Sequence, residues 1–286
     1  MQNLTLTWQS AGGTAVALYG GAYVAARVRK PSLSALLREA GTLLALFALW
    51  QLVGHLSVMS ADHALDRASW IHRIELAIGL PDEASWQAAI TPYPVLVRLS
   101  NYYYAVMHFA VMLAVLLWVF LRHRERYAWV RNTVVITTAI CLFVQFIPVA
   151  PPRMLPQNGF VDVAAEYGQS VYGGAVGGVV VADQLSAMPS VHVAWCVLAA
   201  VAVIRVSPSP FRWVMLLHPV LTVAVVVVTA NHFWADGIVA VAILFFAYTV
   251  LALVARRRGR ISSVDTVDAE KARPRQDAKV QSKQVT

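Results

Sequence analysis

Long apolar stretches separated by short polar links organise the 286 residues of this chain. A helix needs about 20 mostly apolar residues to cross a bilayer core. Six stretches qualify: Gly41–Met59, Asn101–Leu121, Asn132–Ala150, Met188–Val206, Trp213–Ala230 and Phe233–Ala255. A seventh, Ala11–Ala26, is shorter and glycine-rich, and reads as a weaker span or an interfacial segment. Nothing basic precedes it and Arg27, Arg29 and Lys30 follow it, the reverse of a cleaved signal peptide, so it is expected to stay as an anchor. The link Ser60–Val97 carries Trp70, Ile71, Ile74, Leu76, Ile78 and Trp86, broken by Pro81, Pro92 and Pro94. That pattern predicts short amphipathic helices on the headgroup layer, anchored by tryptophans. The link Pro151–Ala187 holds Gly173, Gly174, Gly177 and Gly178 with no following GK[ST], which predicts a flexible lid or spacer rather than a nucleotide loop. The expected fold is all-α: a polytopic membrane bundle of six core transmembrane helices, a weaker N-terminal span and an outer interfacial helix.

Composition agrees. Apolar residues make up 58% of the chain and charged residues 13%, with a mean hydropathy of +0.60. Soluble domains carry about 25% charged residues, so a soluble fold, a disordered chain and a disulfide-stapled secreted domain are excluded. The net charge is +8, but Arg256–Thr286 holds nine basic and four acidic residues, which places five of those charges beside the last span. This is a juxtamembrane excess, and no nucleic-acid partner is expected. Cys141 and Cys196 sit in apolar runs without ligand-like neighbours and read as buried apolar residues.

Basic residues mark the cytoplasmic side of a membrane protein. Here they crowd Arg27–Arg38, the link with Arg122, Arg124, Arg126 and Arg131, the pair Arg205 and Arg212, and the run Arg256, Arg257, Arg258 and Arg260. If every span crosses, these all share one side. Pro151–Ala187, with Arg153 against Asp162, Glu166 and Asp183, lies on the other. The expectation is a multi-pass protein of the plasma (inner) membrane. Residues 1–40 would form the weak span and a basic cytoplasmic link, 41–255 the membrane domain, and 256–286 a disordered basic cytoplasmic tail.

Polar groups are costly at membrane depth, so their positions are informative. Three sets fall on the extracytoplasmic side. Pro148-Val149-Ala150-Pro151-Pro152-Arg153 closes one span, its prolines ending the helix. Met188-Pro189-Ser190-Val191-His192 opens the next, with Pro189 suited to a first helical turn and Ser190 beside free N–H groups that favour an anion. Asn231-His232-Phe233-Trp234-Ala235-Asp236 joins the last two. On a helix, His232 and Asp236 would share a face, so the carboxylate would fix one ring nitrogen and leave the other to attack. Each set alone is an ordinary interfacial feature. Together they supply a guanidinium, a helix N-terminus, a histidine and a His–Asp pair, an inventory that suits phosphoryl transfer. No zinc pattern is present.

The order Arg153, then Pro189-Ser190-Val191-His192, then His232 and Asp236 resembles the type 2 phosphatidic acid phosphatase superfamily, a bundle of six core membrane helices, over roughly Gly41–Ala255. The resemblance implies that His232 is a nucleophile forming a phosphohistidine, that Asp236 orients it and that His192 protonates the leaving oxygen. It implies that Arg153, Ser190 and the backbone near Val191 hold phosphoryl oxygens, and it implies no metal and no other cofactor. Two positions depart from the family pattern: Phe146 stands where a lysine is usual and Val226 where an arginine is usual. The AlaProProArg, ProSerValHis and ThrAlaAsnHisPheTrpAlaAsp strings are similar to those of inositol phosphorylceramide synthases and bacterial inositolphosphotransferase-like proteins. So are Glu75–Trp86 and Asn101-Tyr102-Tyr103-Tyr104 with His108. Tyr103, Tyr104, His108 and Asn231 are therefore candidates to line the site, although the tyrosines and His108 read more readily as an interfacial aromatic belt.

The expected activity is transfer of a headgroup from a membrane lipid phosphate or phosphoinositide, at the outer leaflet, to a lipid or glycan acceptor. Hydrolysis by a lipid phosphate phosphatase is the alternative. A proton-coupled transporter is a further class, although no charge lies mid-span in the six strong segments. An inactive relative is a third, given Phe146 and Val226.

Overall fold

The computed structural model describes residues 7–57, 63–169 and 185–271, with side chains described except at 54–57 and 257–271. The helices are α1 (Trp8–Arg27), α2 (Pro31–Ser57), α3 (Ala64–Ala77), α4 (Glu83–Ile90), α5 (Pro94–Arg122), α6 (Arg124–Val144), the short α7 (Val163–Glu166), α8 (Val191–Val206), α9 (Leu217–Val228) and α10 (Trp234–Lys271). Five helical segments are long and apolar enough to cross a membrane: Pro31–Val53, Pro94–Arg122, Arg124–Val144, Pro210–Val228 and Trp234–Arg256. The apolar α8 is shorter. The protein is thus an all-α, multi-pass membrane bundle. Among the described residues the only β pairing is an isolated bridge between Val149 and Ser186.

Several boundaries differ from those expected, for identifiable reasons. α5 opens at Pro94 rather than Asn101, because a proline at the first helical position leaves no N–H unsatisfied. The span expected to end at Ala150 stops at Val144. Val144 lies four residues before Pro148, whose ring would clash with its carbonyl in a continued helix. Pro210–Leu216 is a 3₁₀ turn before α9, since Pro219 bars an α-helical bond to Met215. α10 runs to Lys271 across the stretch after Gly259 that composition predicted to be disordered. Proline is absent from it until Pro274. The glycine run Gly173–Gly178 lies outside the described residues.

α1 is a full 20-residue helix lying antiparallel along α2. Ala11, Ala15, Ala22 and Ala25 form its buried stripe. A side chain at Gly41 would meet the Ala15 carbonyl and the Leu18 Cβ at 3.4 Å, so small residues set the closeness of the pair. Ser34 Oγ donates to the Ala22 carbonyl at 2.8 Å, and Tyr19 Oη meets Thr42 Oγ1 at 2.8 Å. α2 is tied to α6 by Glu39, which accepts from Tyr127 Oη at 2.9 Å and pairs with Arg131.

One end of the bundle carries a roof of α3, α4 and the stretch 151–169. Ala64, Ala68 and Ile71 of α3 pack with Leu155, Phe160, Ala230 and Phe233. Trp70 and Trp86 are both exposed, as anchors would be, and Trp86 also meets Trp234 edge-on at 5.3 Å. The two ends of the 151–187 link are pinned together: Val149 N–H donates to Leu185 O at 2.8 Å, and Ala187 N–H to Val149 O at 3.1 Å. Cys141 and Cys196 are buried and unbridged.

Candidate active site

Beneath this roof the polar sets meet. Ser190 is the N-cap of α8, so Pro189 precedes the helix rather than standing in its first turn. The reason is local: Ser190 has extended backbone and its Oγ accepts from Val193 N–H at 3.3 Å, an N-cap geometry that contributes about 1 kcal/mol. The amides of Val191 and His192 belong to the first turn, where no carbonyl of the helix itself is available to them. The preceding turn is held by Gln145, whose side-chain amide donates to the Pro189 carbonyl at 3.1 Å. Ser190 N–H donates to the Asp236 carbonyl at 3.1 Å, tying α8 to α10.

His232 stands two residues ahead of α10, not within it as the four-residue spacing suggested. α9 ends with Ala230 in the left-handed region at φ 51°, and Asn231 and His232 N–H groups both donate to the Val226 carbonyl. A left-handed alanine costs roughly 1–2 kcal/mol; its carbonyl accepts from Arg153 N–H at 2.9 Å, which fixes the turn. Val226 therefore contributes its backbone here, where the family pattern has a basic side chain. Phe146, at the other departing position, is partly exposed.

The pairing of His232 with Asp236 forms without a shared helix. Nδ1 of His232 lies 3.2 Å from Asp236 Oδ2 and 2.8 Å from the Ala187 carbonyl. The same Oδ2 accepts from Phe233 N–H at 2.9 Å. A carbonyl accepts only, so Nδ1 carries the proton and Nε2 carries the lone pair. Nε2 points at Nδ1 of His192, 3.3 Å away. His192 is stacked on Tyr104, with centroids 4.4 Å apart and planes at 19°, and abuts His108 at 4.0 Å. Nδ1 of His108 is occupied by the Tyr104 carbonyl at 3.1 Å. Because the His192 and His232 rings touch, a phosphoryl group reaches Nε2 only if the His192 ring swings aside.

Arg153 is 7% exposed. Its NH1 donates to Asn231 Oδ1 at 2.5 Å, and its Nε lies 3.6 Å from Asp162 Oδ2. Asn231 also donates from Nδ2 to Thr229 Oγ1 at 2.8 Å. Both ends of its amide are engaged inside the protein, so Asn231 orients the guanidinium rather than lining a substrate path. Tyr103 also departs from expectation. Its hydroxyl meets His218 Nδ1 at 2.7 Å and Thr222 Oγ1 at 3.2 Å, so it bonds to α9 and not to the histidine pair. Tyr104 and His108 do adjoin the pair.

Two residues of the roof were missed as participants in the site's construction. Glu83 Oε1 accepts from Trp234 N–H at 3.2 Å and Glu75 Oε1 from Ala235 N–H at 2.6 Å, so two buried carboxylates cap α10 next to His232. Burial, and then Glu83, push the Glu75 carboxyl up to about 9. The available signal was His72, Glu75, Asp82 and Glu83 within twelve positions of a link otherwise read as lipid-facing.

A cavity of 680 Å³ opens from this site, walled by Tyr104, His108 and His192 at one end and by Leu43, Phe47 and Leu142 further along. α2, α5, α6 and α8 all contribute to it.

The membrane bundle thus gathers two histidines, a helix N-terminus and a guanidinium under one roof. Residues 69–250 match the PAP2 superfamily, and the chain belongs to that superfamily. Its members are phosphatases and phosphotransferases, so this chain is an enzyme of that type. The match opens beyond α2. No curated protein and no solved structure matches the chain.

One prediction follows from the His232 contacts. Asp236→Asn keeps the Ala187 carbonyl on Nδ1, so the reactive tautomer survives. Its kcat is expected to fall by well under the roughly 10⁴-fold that a lost tautomer costs, and by less than in His232→Ala. Equal residual rates in the two variants would show that Asp236 does more than orient.

Proposed function

We propose that the enzyme transfers a phospho-alcohol headgroup from a lipid phosphodiester to an alcohol acceptor through a phosphohistidine at His232. The observation that carries this reading is the lone pair of His232 Nε2 facing His192 at the mouth of a deep apolar cavity. Nε2 attacks phosphorus and the bond to the lipid oxygen breaks. His192 gives that oxygen its proton, releasing the neutral lipid alcohol. An acceptor hydroxyl then attacks phosphorus, His192 takes its proton, and the P–N bond breaks to restore the free imidazole. Arg153 and the first-turn amides of Val191 and His192, with Ser190, face the phosphoryl oxygens. Tyr104 stacks on the His192 ring and His108 abuts it, which gives the ring a surface to slide along as it opens Nε2.

One observation favours transfer over hydrolysis. The sequence strings around Arg153, His192 and His232 are similar to those of inositolphosphotransferase-like proteins, which supports a phosphoinositide donor and a lipid or glycan acceptor. The distribution of basic links supports an extracytoplasmic site. The deciding experiment supplies purified enzyme with phosphoinositide labelled at phosphorus, with and without a candidate acceptor. Transfer gives acid-labile, base-stable labelled protein and acceptor-dependent lipid alcohol release. Acceptor-independent release of the water-soluble phosphate ester would make the enzyme a hydrolase.

The cavity makes a separate prediction. Acyl tails in a bilayer are already in an apolar medium, so the cavity contributes alignment more than affinity. Ala105 lines it on α5. Ala105→Trp is expected to lower kcat/KM for a two-chain lipid by about 10²-fold, the scale of a small misplacement of the reacting group. A water-soluble phosphate ester should be turned over as before. An equal loss on both substrates would mean that the tails bind elsewhere.

A further inference from the structure

The roof contains a second constellation that phosphoryl transfer does not use. His72, Glu75 and Glu83 are 3%, 1% and 0% exposed. One ligand-type atom from each lies within 4.8 Å of the others. His72 Nδ1, Glu75 Oε2 and Glu83 Oε2 are all buried without a hydrogen-bond partner. The two glutamates are meanwhile anchored through their other oxygens, Glu75 Oε1 by Ala235 N–H at 2.6 Å and Glu83 Oε1 by Trp234 N–H at 3.2 Å, while His72 Nε2 faces the Asp82 carboxylate at 3.9 Å, longer than a hydrogen bond. Outer amides that fix ligating carboxylates, and an outer carboxylate on the far side of an imidazole, are the surroundings that metal ligands have. The separation of His72 Nδ1 from Glu83 Oε2 is 3.4 Å, against about 3.3 Å for neighbouring ligands on a tetrahedral ion with bonds of about 2.0–2.1 Å. Phe160 and Phe233 flank the imidazole at 5.3 and 6.3 Å and keep the point dry.

We infer that His72, Glu75 and Glu83 bind one divalent transition-metal ion of the zinc class, which clamps the roof helices α3 and α4 to the start of α10. One imidazole and two carboxylates form a mixed nitrogen–oxygen donor set that suits such an ion better than magnesium or calcium, which take oxygen ligands. The ion touches no reacting atom; it holds the segment that begins two residues after His232. The inference is independent of which phosphoryl acceptor the enzyme uses.

The test is metal uptake by full-length, tag-free protein in lipid nanodiscs, stripped with EDTA and titrated with Zn²⁺ alone. One tight equivalent per chain is expected, together with a rise in the thermal midpoint when Zn²⁺ is restored. His72→Ala leaves both glutamate caps on α10 in place, and should lose the equivalent and the thermal response. Asp82→Asn should retain the equivalent with affinity weakened about 10- to 100-fold. Wild-type protein that takes up no Zn²⁺, or a His72→Ala variant that binds it as the wild type does, would overturn the site. Uptake is read without turnover, so failure here leaves the phosphohistidine reading intact, and the absence of a phosphoprotein would leave this one intact.

Discussion

Alanine at His232 is expected to abolish both the labelled phosphoprotein and turnover, with kcat falling by roughly 10⁴-fold or more, the scale on which loss of a covalent nucleophile acts. The contacts of this ring support so large an effect. Its Nδ1 is committed to the Ala187 carbonyl and Asp236, and its Nε2 carries a lone pair toward His192. Trapping labelled protein at short times and high enzyme concentration checks this directly. Label that persists in His232→Ala would move the nucleophile elsewhere.

His192→Ala is expected to lower kcat by about 10²–10⁴-fold, the usual contribution of a general acid. The size of the loss should depend on the substrate. An ester with an activated aryl leaving group needs little protonation, so the variant should lose far less on it than on a lipid alkyl ester. The phosphoprotein should still form from the activated ester. A loss that is the same for both leaving groups would mean that His192 positions the phosphate instead of protonating the departing oxygen.

The spans were legible in the sequence because a bilayer demands continuous apolar length, and that demand leaves a mark on every residue of α2, α5, α6, α9 and α10. Their ends were less so. Pro148 acts on the carbonyl four residues behind it, and Pro94 and Pro219 shift boundaries in the same indirect way. The chemistry-bearing positions Arg153, His192, His232 and Asp236 stood out because polar groups at depth are rare. Their supporting contacts did not, since Ala187 and Val226 act through the backbone, which no side-chain pattern encodes. Tyr103 and Asn231 show the opposite error. Proximity in sequence to active positions says nothing of where a side chain turns, and both turn to internal partners. Glu75 and Glu83 were overlooked because an acid in a link reads as solvated, whereas these two are covered by the roof.

The antiparallel hairpin of α1 and α2 lies ahead of the residues shared with the superfamily, yet Leu43, Leu46, Phe47 and Trp50 stand opposite the histidines across the cavity. One wall of the cavity beside the histidines thus comes from a part of the chain that the superfamily match does not include. If the proposed lipid tail lies in this cavity, substitutions at Leu43, Phe47 or Trp50 would alter which tails fit without touching the histidines.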